Sequence, residues 1–498
     1  MKPENIIDSM NNIDDEIISD AQKFRARKKR KNGWIKWVAV AACFCIAVGA
    51  LLGHFHFKPQ INPNPPISDN SPVKLLNCSI VNAVYPQMLK YPVETDYDDG
   101  YGNLDYDAFS DAINEWYEDL ENRMQNAVTA DGYSHFFTTS TKTFFADTNG
   151  ENLVYSPVNV YMALSMLAET TDGQTRQEIL DLLGVDSIDE LRTLANGLWL
   201  SNYDDSGIKT NILANSVWMS DTVNYNKSTL DILANQYYAS SFSGEMGSDE
   251  YNKALQAWLN EQTGGLLEEQ ANDVKFNDST VLGLASTVYF KATWNDTFPE
   301  HLTEVDTFYG TKGEESIDFM YQRMTGSPLY FDDNYTATSL SFNSSGKMWF
   351  ILPDEGTSPE SLIQNGNINS ILNGRTPGNK KDNVILNLYM PKFDVASSMD
   401  LIDSIRALGV SKVFSEAESD FTPIMPNQTA YVNQMNHSAR VAVDEEGCTA
   451  AAFTVIGADT ESAPMGEEID FRLNRPFVFI ITSDDSTPLF VGVVNTVS

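Results

Sequence analysis

The stretch Asp444-Glu445-Glu446-Gly447-Cys448-Thr449-Ala450-Ala451-Ala452-Phe453-Thr454-Val455-Ile456-Gly457 decides how this chain is read. It follows directly on the run Ala439-Arg440-Val441-Ala442-Val443. After Ala458-Asp459-Thr460-Glu461-Ser462-Ala463-Pro464-Met465-Gly466-Glu467-Glu468 the chain returns to a strand-like run, Ile469 to Leu473. A gap of roughly 25 residues is long for a connection inside a folded domain, and such gaps are as a rule functional or mobile. No charge stands between Gly447 and Ala458, where the residues are first small and then β-favouring. Residues 458–468 are small, polar and acidic, as an exposed loop should be. Two readings stay open: a disordered loop, or a segment that is exposed in one state and zipped into a sheet as a strand in another.

On both sides of this segment the pattern is that of a large folded domain. The spacing of Phe109, Ile113, Trp116, Tyr117 and Leu120 predicts an amphipathic helix from Tyr106 to Met124. Ser156 is placed to cap a second helix whose first residue is Pro157, and Met162, Leu164, Met166 and Leu167 make that helix heavily apolar. A further helix starts at Thr175 and runs to Leu183. Val281 to Trp294 is almost continuously apolar, which predicts a strand buried on both faces. Met348 to Leu352, Val384 to Met390, Thr429 to Val443, Phe477 to Thr482 and Leu489 to Val497 also read as strands. Helices early and strands later, sharing one core, give an α+β class.

The chain has 498 residues, of which 42% are hydrophobic and 11% aromatic, too apolar for a largely disordered chain. Its net charge of -36 argues against nucleic-acid binding, which needs a basic footprint. Four cysteines, Cys43, Cys45, Cys78 and Cys448, are too few for a disulfide scaffold. No nucleophile elbow, phosphate-binding loop, paired-histidine zinc helix or C-x-x-C is present. The chain is therefore expected to be no enzyme, with no metal and no cofactor. The acidic turn at Asp96 to Gly100 lacks the spacing of a calcium loop.

Charge divides the chain unevenly. Residues 1–53 hold nine basic and six acidic residues, with the basic ones concentrated between Lys23 and Lys31. Residues 34–53 follow with one charge, Lys36, near their start, a length suited to a membrane helix. A cleaved signal peptide, a lipoprotein box at Val40-Ala41-Ala42-Cys43 and an uncleaved anchor are the three readings. The anchor fits best, because more than 30 residues precede the apolar run and the basic flank marks the inner side. A proline-rich spacer, 54–78, then leads to one domain from 79 to 498. The expected place is the cell membrane, spanned once, with the domain outside; cleavage would release a secreted form.

The motifs of this domain, taken in order, resemble the serpins, and the resemblance covers about 400 residues. It rests on Asn152-Leu153-Val154-Tyr155-Ser156-Pro157 with Ala163-Leu164-Ser165-Met166-Leu167, on Asn215-Ser216-Val217-Trp218, and on Tyr289-Phe290-Lys291-Ala292-Thr293-Trp294. Met390-Pro391-Lys392-Phe393, Asp420-Phe421-Thr422-Pro423-Ile424, Asp444-Glu445-Glu446-Gly447 with Ala450-Ala451-Ala452, and Asn474-Arg475-Pro476-Phe477 continue it. The resemblance implies a large domain of three sheets and eight or nine helices, with an exposed reactive loop at about 445–468. It implies a bacterial-type, membrane-anchored suicide inhibitor that forms a covalent complex with a serine protease. The protein would be a monomer, prone to polymerise when destabilised.

What the resemblance implies for residues is specific. The hinge is Glu445, Glu446, Gly447, Cys448, Thr449, Ala450, Ala451, Ala452, Phe453 and Thr454. The reactive bond is Glu461–Ser462, with Thr460–Glu461 or a bond near Met465 as alternatives. Lys392, Trp294, His437, Ser156, Asn159 and Ser286 belong to the breach and shutter beneath the loop. Asn159 and Ser286 stand where serpins usually have Ser and Asn. Phe453 stands where inhibitory members keep a small residue, which favours the alternative of a non-inhibitory, surface-displayed binding module.

Overall fold

The computed structural model describes residues 78–98 (residue 84 apart), 104–124, 132–207, 210–343, 346–448 and 466–497. The basic tail 1–33, the apolar segment 34–53 with Cys43 and Cys45, the spacer up to residue 77 and loop residues 449–465 lie outside them. Among the described residues no helix is long and apolar enough to cross a membrane.

The described chain opens with strand β1 (Ser79–Val81) and helices α1 (Tyr106–Met124) and α2 (Ser134–Phe144). Then come β2 (Leu153–Tyr155), α3 (Pro157–Thr170), α4 (Gly173–Leu183) and α5 (Ile188–Asn202). β3 (Thr210–Ser220), α6 (Lys227–Gln236), β4 (Ala239–Gly244), α7 (Asp249–Gln262) and α8 (Glu268–Asp273) follow. The strand-rich half begins with β5 (Leu282–Thr293), β6 (Glu304–Gly310), β7 (Gly313–Thr325), β8 (Leu329–Asp332), β9 (Tyr335–Ser341) and β10 (Lys347–Pro353). It continues with α9 (Pro359–Asn365), α10 (Asn369–Leu372), β11 (Asn379–Lys381), β12 (Val384–Pro391), β13 (Phe393–Asp400) and α11 (Ile402–Ala407). The last strands are β14 (Asn436–Val443), β15 (Gly447–Cys448), β16 (Glu467–Arg472), β17 (Phe477–Thr482) and β18 (Pro488–Val494).

These strands form three sheets. The main sheet has the order β1-β4-β3-β5-β15-β14-β13; the second, β11-β8-β9-β10-β17-β18-β2; and the third, of four strands, β16-β12-β7-β6. The fold is the expected α+β class, with helices packed on the sheets around one apolar core.

Local rules account for the elements that carry the site. Ser156 caps α3 by accepting a hydrogen bond from Asn159 N, and Pro157 occupies the first turn, where its missing N–H costs nothing. α3 is buried nearly all round, so its face has no polar side to show. α4 ends at Gly184 in the left-handed conformation, φ 74°, which glycine adopts without penalty.

Two sequence expectations change. β5 is not buried on both faces throughout: Leu282, Gly283, Leu284, Ala285 and Ser286 are only partly covered, and the first fully buried residue is Thr287, with Val288, Lys291 and Thr293 again partly covered. The reason lies in its neighbour. On one side β5 pairs with β3 over ten residues, but on the other, among the described residues, it pairs with only the two residues of β15. The strand expected from Thr429 begins at Asn436, and 429–435 takes no strand form. Ala430, Tyr431, Val432, Gln434 and Met435 line a cavity described below.

Candidate functional site

The site is the space between β5 and β14 in the main sheet, in whose upper end, among the described residues, β15 is seated. β15 pairs antiparallel with both of its neighbours, Gly447 facing Thr293, and Cys448 facing Ala292 on β5 and Val443 on β14. β5 and β14 therefore run parallel to each other, and among the described residues β15 alone stands between them. Cys448, Ala292 and Val443 are all buried, so their side chains share the core face of the sheet. The Cys448 side chain is 1% exposed.

The turn that feeds this hinge is tightly held. Asp444 Oδ1 accepts from Glu446 N at 2.9 Å and Gly447 N at 3.2 Å. Such a bond to the amide two residues on is the local turn that aspartate favours. Trp294 Nε1 donates to Asp444 O at 3.0 Å, and Trp294 N donates to Glu446 O at 2.9 Å. Phe298 N donates to Glu445 O at 2.9 Å. The Trp294 ring stacks on Phe342, 4.9 Å between centroids. Gly447 has to be glycine: a Cβ there would stand 2.2 Å from Ala292 O and 2.7 Å from Thr293 Cα, both backbone atoms.

Charge pairs fix the hinge from its other side. Lys392 Nζ lies 2.8 Å from Glu445 Oε1, and Thr303 Oγ1 donates to the same oxygen at 2.8 Å. Burial opposes the Glu445 charge, but the bonds from Lys392 and Thr303 outweigh it and hold the carboxyl below the usual range. Burial likewise opposes the Lys392 charge, and the Glu445 bond reverses the balance and raises its pKa. Glu446 goes the other way. Burial, then the neighbouring Asp444 and Glu300, push its carboxyl up.

At the lower end the gap opens into a cavity of about 50 Å³ beneath the sheet. Asn159 and Leu167 of α3, Leu282, Leu284 and Ser286 of β5, and His437 of β14 line it. His437 is buried and its Nε2 accepts from Ser156 N at 3.1 Å. The neutral ring must then carry its hydrogen on Nδ1, which has no hydrogen-bond partner among the described residues. Burial pushes the His437 pKa down to about 4. Ser286 faces Asn215 of β3 in register, while Asn215 Nδ2 donates to Tyr237 O.

The sequence-predicted residues thus gather at two places on one gap: Lys392, Trp294, Glu445, Glu446, Gly447 and Cys448 above, and Ser156, Asn159, Ser286 and His437 below. Thr449, Ala450, Ala451, Ala452, Phe453, Thr454, Thr460, Glu461, Ser462 and Met465 lie outside the described residues. The sequence reading gave two residues no role as clamps, Asp444 within the hinge motif and Thr303 outside it. Asp444 could have been found from the Asp-x-x-Gly spacing of a local turn; Thr303, 142 positions from its partner, has no sequence signal.

Among the described residues, the main sheet holds the two residues of β15 between two parallel strands, β5 and β14. The family model Serpin (serine protease inhibitor) matches residues 132–497, well over half of the chain. The chain belongs to the serpin family, whose members are generally protease inhibitors. It is 26% identical over 380 residues to Serpin B13 of Homo sapiens, covering 69% of this chain and 93% of that one. It is 27% identical to Alpha-1-antiproteinase 2 of Equus caballus, covering 70% and 82%. In fold it is similar to the thermophilic serpin Tengpin in the native state, with a TM-score of 0.65 at 22% identity over 74% of this chain and 94% of that one. AtSerpin1 of Arabidopsis in its native stressed conformation gives a TM-score of 0.63 at 24% identity, covering 73% and 98%.

Proposed function

We propose that this protein is a suicide-substrate inhibitor of serine proteases. The observation that supports this best is the gap between β5 and β14, filled only by Gly447 and Cys448 among the described residues. The half-covered apolar residues of lower β5 are surface awaiting a neighbour, since burying them would be favourable. The protease serine attacks the carbonyl of the reactive bond, Glu461–Ser462 in this reading. An ester to that residue forms, and the new amino terminus at Ser462 leaves. The freed hinge segment then continues β15 downward as a full strand, gaining main-chain hydrogen bonds to both neighbours, each worth about 0.5–1.5 kcal/mol net. The attached protease is carried along and distorted before water can cleave the ester. All the bond chemistry is the protease's, so no catalytic group of this chain is used.

Small residues around the reactive bond suit an elastase-like or subtilisin-like enzyme, and Glu461 suits a glutamate-specific one. Mixing the protein with a panel of all three and reading denaturing gels tests this. A band of roughly additive mass that survives denaturation supports inhibition. Clean cutting within 458–466 by every protease favours the non-inhibitory binding module, the reading Phe453 supports. We further place the protein in the cell membrane by residues 34–53, with the domain outside and Lys23 to Lys31 inside. Single cysteines engineered at Ser68 and Asn11 check this: an outside reagent should label the first and not the second on intact cells.

A further inference from the structure

We infer that the cavity between α3, lower β5 and His437 is a binding site for a small, uncharged aliphatic carboxamide. Its polar part asks for such a group. His437 lines the cavity and is 2% exposed. Its Nε2 is engaged by Ser156 N, so the hydrogen sits on Nδ1, and Nδ1 has no partner among the described residues. A buried N–H left without a partner is costly, so the cavity favours an occupant that brings an acceptor. Asn159, 4% exposed, and Ser286 line the same cavity. Their side chains both donate and accept hydrogen bonds. A primary carboxamide matches this set: its carbonyl oxygen accepts from His437 Nδ1, and its amide nitrogen donates to the Asn159 carbonyl oxygen or the Ser286 hydroxyl.

The remaining lining decides what is attached to that group. Along α3 the lining starts at Asn159 and ends at Leu167; along β5 it goes from Ser286 through Leu284 to Leu282, alternate residues that share one face. Each element thus offers one polar residue and then aliphatic surface. Leu282 and Leu284 are only partly covered, so a short aliphatic chain lying against them is removed from water together with them. Among the described residues no Lys, Arg, Asp or Glu lines the cavity. An ionic ligand would therefore be buried without a counter-charge, which excludes carboxylates and ammonium groups in favour of the neutral amide. Size sets the last limit. One water occupies about 10–15 Å³ of volume on this measure, so a cavity of about 50 Å³ takes a molecule of roughly four to six heavy atoms.

The inference does not depend on the inhibitor reading, and its test needs no protease. The probe is isobutyramide, added to the full chain while the thermal unfolding midpoint is followed. A ligand that binds only the native state raises the midpoint saturably, here by about 1–2 °C at a tenfold excess over its dissociation constant. For so small a ligand that constant is expected at about 1–10 mM. Isobutyrate and isobutylammonium, of the same shape but charged, should give no saturable rise. Ser286→Ala should weaken isobutyramide binding at least threefold. Leu284→Trp fills the cavity from β5 and should abolish the rise. Val305→Ala, 69% exposed on β6, should leave it unchanged. Where Leu284→Trp does not fold, Ala163→Leu, which fills the cavity from α3, decides. No saturable rise overturns the proposal, and a cavity that takes up water alone gives that result. So does an equal rise with the charged analogues, or a rise kept in the cavity-filling variant, since either places the binding elsewhere.

Discussion

His437 and Glu445 carry the main electrostatic consequences at the scale of single residues. His437 is held neutral, with a pKa pushed down to about 4 from the ordinary 6.5. Between those values the unfolded chain binds a proton that the native chain does not, so native stability falls as pH falls through this window. Full expression is worth about 3 kcal/mol, of which the unfolded-state value near 6.5 sets the upper end. Urea unfolding from pH 7 to pH 4.5 should show this loss, and His437→Gln should flatten the slope. A variant with the wild-type slope would place the titration elsewhere. The Lys392–Glu445 pair is less buried, with Lys392 about one-third exposed, so breaking it costs on the order of 1–3 kcal/mol rather than the full buried-pair figure. Glu445→Lys should polymerise on mild heating, followed by light scattering, and adding Lys392→Glu should restore most of the monomer. Equal polymerisation of single and double variants would refute the pairing.

At the scale of elements, β15 is the informative strand. A methyl at position 447 would meet the backbone of Ala292 and Thr293, which cannot yield as a side chain would. Gly447→Ala should therefore displace the hinge from the sheet and expose Cys448 to alkylation at least tenfold faster. A Cys448 that stays protected would show that the strand has room after all. Cys448 faces the core, so in an inserted strand alternation would place Ala450, Ala452 and Thr454 inward and Thr449, Ala451 and Phe453 outward. Cys448→Arg or Ala450→Arg buries an unpaired charge at a cost of several kcal/mol, enough to slow insertion below ester hydrolysis. Both variants should be cut and release active protease, whereas Thr449→Arg should still trap much of it. Equal loss in both sets, read as the ratio of cleaved to complexed product, would refute the alternation. Helix α1 and the cap of α3 were legible because long periodicity and a Ser-Pro start are local signals. The exposure of lower β5 was not, because an apolar run does not reveal whether its neighbour is present. β1, three residues long, has too few positions to show a period.

For the whole molecule, the inhibitor reading requires a kinetically held state, whose lifetime is set by the barrier to opening rather than by the depth of the native well. Among the described residues, only β15 stands between β5 and β14, and the turn that feeds it is held by Asp444, Trp294 and Lys392. The pairing of Glu445 with Lys392 was legible from the resemblance of motifs, since those residues stand in motifs that follow one another in a fixed order. The cavity at the lower end, lined by polar and apolar residues alike, was not legible, because it is assembled from α3, β5, Leu401 and the 430–437 passage, which are far apart in sequence. The most direct test of the account is the fate of a one-to-one mixture of this protein with a subtilisin-like or elastase-like serine protease, followed by intact mass and residual activity together. The account predicts a covalent adduct of summed mass, less the peptide released beyond the reactive bond, with protease activity lost in proportion. Quantitative cleavage within 458–466, no adduct and full protease activity across the panel would contradict it.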